Sequence, residues 1–153
     1  MLTARDIRQA LVDLIKVKAQ IPFDVHFNHI NKSNKSYIWI EFRPQKKNID
    51  SVYFQRILNV DIHVVLFPDS NAEVKHTDLL SISDEMDKVI MPCLQIKDRF
   101  ITILNSNSYI FDDILHYEFS LDFTDCVERE PVDKFGNKFD IMQELSLKME
   151  TEE

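Results

Sequence analysis

Tyr53–Phe67 reads YFQRILNVDIHVVLF. From Arg56 onward, Leu58, Val60, Ile62, Val64 and Leu66 fall on one side of an extended chain, and Asn59, Asp61 and His63 fall on the other. A period of two sustained over this length, rich in β-branched residues, predicts one long, half-buried strand. The remaining segments are expected to lie beside or across it.

Upstream, Thr3 stands three residues before Asp6 as an N-cap with an acidic partner. Ile7, Leu11, Leu14, Ile15 and Lys18 then share one helical face, and Pro22 marks a stop, which predicts an amphipathic helix over about residues 3–19. Phe23, Val25 and Phe27 alternate with polar residues as a short strand. A polar turn follows at 31–35, then a second strand with Ile38, Ile40 and Phe42 on one face and Tyr37, Trp39, Glu41 and Arg43 on the other. The two are expected to form a hairpin. Residues 44–51, PQKKNIDS, read as a basic connection, either a tight loop or a projection.

Downstream, a helix is expected from about 75 to 91, with Leu79, Ile82, Met86, Val89 and Ile90 inward and Pro92 closing it. Leu94, Ile96, Phe100, Ile101 and Ile103 supply short strands interrupted at Lys97-Asp98, and Asn105–Ser108 reads as a turn. Leu115, Tyr117, Phe119, Leu121 and Phe123 then mark a second half-buried strand. The order predicts an α+β (α/β) domain over residues 1–126, a single mixed or antiparallel sheet of about five strands with both helices on one face. The stretch between the long strand and the last ones is long enough for a crossover, which leaves a mixed sheet open. Residues 127–153 read as an acidic appendage with room for a short helix.

The totals narrow the function. At 153 residues the chain suits one domain. Its single glycine, Gly136, leaves the first 135 residues without the flexible positions that phosphate-cradling loops need, which weighs against nucleotide enzymes. No apolar run approaches a membrane span and the start lacks a signal-peptide layout, so a cytoplasmic protein is expected. Cys93 and Cys126 match no metal or redox spacing and are expected reduced and packed. The net charge of −8 argues against a general nucleic-acid binder. It is unevenly spread: residues 1–67 carry ten Lys/Arg against six Asp/Glu, and residues 68–153 carry eight against twenty. Such halves suit head-to-tail packing of identical subunits, although ordinary variation in surface charge explains them equally.

No catalytic, cofactor or metal site is expected. His26 and His29 would point to opposite faces of a strand. Asp61 and His63 share a face, where a base and its orienting carboxylate could sit, but no nucleophile is local and a polar outer sheet face explains them as well. Asp112-Asp113 reads as a turn rather than an ion site. Tyr37, Trp39, Tyr53, Ile57, Val65 and Phe67 lie opposite the core row and suggest a partner surface or a face covered by another segment.

Taken together, LTARDIRQALVDLI, RPQKKNIDS, RILNVDIHVVLFP, LLSISDEMDKVIMP and ILHYEFSLDF make residues 1–126 resemble the tail-terminator family of long-tailed phages and prophages, in its Gram-positive form. The resemblance implies a small α/β fold and no catalytic residues. It also implies a ring, a hexamer in such families, that caps the tail tube, stops its growth and meets the head-neck connector. The cytoplasm during assembly and then the virion would be its locations. Arg43, Lys46, Lys47, Tyr37, Trp39 and Tyr53 are the expected interface residues. Another neck or head-completion protein, or a monomeric binding module using the aromatic face, would share much of this pattern.

Overall fold

The structure, a computed structural model, describes residues 1–28, 33–50, 52–68 and 73–126. Helix α1 (Ala4–Asp13) opens on a complete capping box: the Asp6 amide donates to Thr3 Oγ1, and the Thr3 amide donates to Asp6 Oδ2. It passes into a π-helical turn, Leu14–Lys18, in which the Ala19 amide reaches back to Leu14. Gln20 at φ 54° then lets the Ile21 amide bond to Ile15, which ends the helix before Pro22. Ile7, Leu11, Leu14 and Ile15 are buried as the periodicity predicts. Lys18, grouped with them by sequence, is exposed.

The main sheet has the order β1-β2-β3-β7-β6, from β1 (Asp24–His26), β2 (Tyr37–Asn48), β3 (Tyr53–Val65), β6 (Ser106–Phe111) and β7 (Ile114–Cys126). β3 is its centre, paired antiparallel to β7 along its full length and to β2 over residues 54–65. A separate hairpin, β4 (Cys93–Ile96) and β5 (Arg99–Thr102), and helix α2 (His76–Ile90) pack with α1 on one side. Between them lies one core: Ile38 and Ile40 of β2, Leu58, Val60, Ile62 and Val64 of β3, and Leu115, Tyr117, Phe119 and Leu121 of β7. These meet Ile7, Leu11 and Ile15, then Leu79, Met86 and Ile90, then Leu94, Ile96 and Ile101. Fully burying such a side chain contributes ~1.5–3 kcal/mol, so this one face accounts for most of the fold's cohesion. The fold is α+β, as expected, with a second small sheet added.

Four expectations need correction. β1 and β2 are not a hairpin: they run parallel, Asp24 facing Tyr37 and His26 facing Trp39, so the mixed character of the sheet comes from here. No crossover through α2 produces it, since β3 and β7 are antiparallel. Residues 44–48 are strand, not loop. β2 is an edge strand beyond its short contact with β1, and there Pro44 costs no ladder bond that a central strand would need. Ser106–Ser108 also belongs to a strand. The turn falls at Asp112-Asp113, both at positive φ (49° and 61°), the geometry of a two-residue hairpin loop. Cys93 is exposed rather than packed, and Cys126 is half-buried; both are free thiols. His29 and the appendage after residue 126 lie outside the described residues. Among the described residues no helix is long and apolar enough to cross a membrane.

Candidate functional site

Alternation places Tyr37, Trp39, Glu41, Arg43 and Lys47 on the face of β2 turned away from the helices. On β3 the same face carries Tyr53, Ile57, Asn59, Asp61 and His63, and on β7 it carries His116, Glu118, Ser120 and Asp122. The register sets Trp39, His63 and His116 side by side across three strands, with Glu41, Asp61 and Glu118 in the next row.

The middle of this face is closed. Asp61 is 6% exposed and His63 8%. Trp39 stacks on His63 at 4.3 Å between ring centroids, Tyr109 of β6 stacks on His116 at 4.8 Å, and the two imidazoles meet edge to face at 4.5 Å. His63 Nε2 lies 3.3 Å from Asp61 Oδ2, and His116 Nδ1 lies 3.7 Å from Asp61 Oδ1. Arg43 spans the rim, 3.5 Å from Glu118 Oε1 and 3.9 Å from Asp61 Oδ2. Burial pushes the Asp61 carboxyl above its usual range and the His63 imidazole below its own, each opposed by the attraction between them. In the sequence His116 is only a polar alternate of its strand. Aligning β3 and β7 antiparallel would have set it opposite His63, but register is not visible in either strand alone.

The expected interface residues separate. Tyr37, Trp39, Arg43, Lys47 and Tyr53 share the outer face. Lys46 is on the other face, its ammonium 3.8 Å from the centre of the Phe54 ring. Arg43 is engaged by its own chain's carboxylates, whereas Lys46 and Lys47 lie on the exposed end of β2. That end, closed by Asp50, presents exposed Ile49, Val52 and Tyr53. Of these three, only Tyr53 stands out in the sequence as an outer-face aromatic. A second surface is a groove of about 600 Å³ between β5 and the far half of β7, lined by Phe100, Leu104, Phe123 and Asp122 among others. Phe100 is 69% exposed and Leu104 89%.

The family model for phage tail terminator protein matches residues 6–133, which covers the whole sheet, helix α2 and all but the first two residues of α1. The chain belongs to the phage tail terminator family. It is therefore a structural protein of phage tails. A comparison with curated proteins finds no match. One similar solved structure aligns over 84% of this chain and 99% of its own at 14% identity and a TM-score of 0.43.

Proposed function

We propose that this tail terminator caps the tail tube as a ring of identical subunits, six in number, stops tube polymerisation and offers its far side to the head-neck connector. The role is assembly rather than catalysis, carried out in the host cytoplasm and retained in the virion. The observation that supports it best is the β2–β3 hairpin end. There Ile49, Val52 and Tyr53 expose apolar surface beside Lys46 and Lys47, on an arm whose outer strand has an unpaired edge. Exposed apolar side chains beside a strand edge normally mark a contact that assembly will cover.

A ring needs two different surfaces on each subunit, one meeting the other on its neighbour. The groove beside β7 suits the second, with Phe100 and Leu104 as apolar lining and Asp122, which Gln55 Nε2 also bonds at 2.9 Å and which shares the groove with Arg99, as the acidic partner for a basic arm. The uneven distribution of charge along the sequence has the same sense, basic in the half that contains the arm and acidic in the other. Tyr37 and Trp39 lie farther from the arm end and belong to the face that meets tube or neck.

The test is the state of assembly on tail tubes of wild type and of a Lys46→Glu, Lys47→Glu variant, read by light scattering and electron microscopy. Loss of ring formation with an unchanged circular-dichroism spectrum is expected. Rings that form equally well would remove the arm from the interface.

A further inference from the structure

Asp61 Oδ1, His63 Nε2 and His116 Nδ1 are buried and make no well-formed hydrogen bond among the described residues; they face one another only across the loose contacts His63 Nε2–Asp61 Oδ2 at 3.3 Å and His116 Nδ1–Asp61 Oδ1 at 3.7 Å. A buried polar atom left unpaired is costly, and three converging on one point need a physical reason. All three residues offer donor atoms within 4.8 Å of one another. We propose that Asp61, His63 and His116 form a binding site for a divalent transition-metal ion of the zinc class. The proposal stands apart from ring assembly and does not depend on it.

The donor set fits that class of ion. Two imidazoles and one carboxylate suit zinc, cobalt or nickel better than magnesium or calcium, which take oxygen ligands. Donors ~2.05 Å from a tetrahedral ion are ~3.3 Å apart. His63 Nε2 is already 3.3 Å from Asp61 Oδ2, and His116 Nδ1 lies 3.7 Å from the other oxygen, Oδ1, so the Asp61 carboxylate is the group that turns to complete the set. The two imidazoles are also held in place before any ion arrives, by the stacked rings of Trp39 and Tyr109. A fourth position falls to Glu41, whose Oε2 is 3.9 Å from His63 Nε2, or to water. Bound there, the ion would join β3 to β7 at the centre of the sheet.

Arg43 is the feature that opposes a cation, with Nη2 3.9 Å from Asp61 Oδ2. Its nearer partner is Glu118, at 3.5 Å, and its side chain is half exposed, so it can keep Glu118 while Asp61 turns to the ion. This produces an unusual expectation: removing the competing charge, by Arg43→Gln, should tighten metal binding several-fold.

The experiment is a cobalt titration of the full chain, prepared without an oligohistidine tag and stripped with chelator, followed by its visible d–d absorption. One ion per chain is expected, giving an intense four- or five-coordinate band that zinc displaces. Changes to groups that merely support metal ligands cost ~10–100-fold in affinity, so His63→Gln and His116→Gln should each cost at least that. His76→Gln, which breaks the surface pair His76–Asp113, should cost nothing. If a ligand variant fails to fold, nickel broadening of the His63 and His116 ring signals in the wild type replaces it. No band, a band indifferent to both ligand variants, or broadening confined to His26 and His76 would overturn the proposal.

Discussion

The Tyr117 hydroxyl donates to Asp87 Oδ1 at 2.5 Å, fastening the last turn of α2 to the strand beneath it. The ring is fully buried in the core, so this hydroxyl is the one polar point of an otherwise apolar side chain. A hydrogen bond to a charged partner contributes about 1.5 kcal/mol or more, and Tyr117→Phe should lower the urea-unfolding stability by about that amount. An unchanged midpoint would mean that Asp87 is satisfied by Ser106 alone, whose hydroxyl lies 3.3 Å away.

The same pair predicts an alkaline limit. Burial first, and the bond to Asp87 second, push the Tyr117 phenol well above its usual range. The folded state therefore holds this proton more tightly than the unfolded chain. Its contribution is fully present below the ordinary tyrosine value of about 10 and declines as pH rises beyond it. The stability advantage of wild type over Tyr117→Phe should accordingly shrink above that pH. An advantage constant across the range would contradict the assignment.

Asp50 organises the hairpin end. Its Oδ1 accepts the amides of Val52 and Tyr53, both at 2.7 Å, and these bonds hold its carboxyl below the usual range. The sign is opposite to that of Tyr117: the contribution is present above the ordinary aspartate value and is lost as pH falls. Asp50→Ala should speed amide exchange at Val52 and Tyr53 and leave the core amides of β3 protected. Asp50→Asn, which keeps an acceptor, should recover part of the protection.

Asp6 links the start of α1 to the turn between β4 and β5. Lys97 Nζ is 2.9 Å from Asp6 Oδ2, and with the Thr3 bonds this lowers the Asp6 carboxyl to about 2. A proton titration followed by NMR should find that value in wild type and a higher one in Lys97→Met. Thr3→Ala should cost ~1 kcal/mol through the lost cap, and Thr3→Ser much less.

Much of the fold was legible because its long elements bury one face. β3, β7 and both helices follow from periodicity, and the Thr3 cap follows from local chemistry. The misses have physical causes of their own. Pro44, Lys46 and Lys47 have loop composition, but the free edge of β2 tolerates all three. Ser106, Asn107 and Ser108 are weak strand formers, yet the ladder to β7 overrides that preference once the tight turn sits at Asp112-Asp113. β1 does pair with the next strand in sequence, but in parallel, and the alternation of two neighbouring strands carries no information on their relative direction. The outer-face cluster was half visible: Asp61 and His63 could be paired on one strand, whereas His116 joins them only through a register that spans more than fifty residues of sequence.

The capping role is decided by the length distribution of tail tubes grown from purified tube protein with and without this chain, read by electron microscopy. Tubes that stop growing and carry a ring of density at one end are the predicted result. Tubes that continue to elongate, with no density added at saturating concentration, would contradict the proposed capping role.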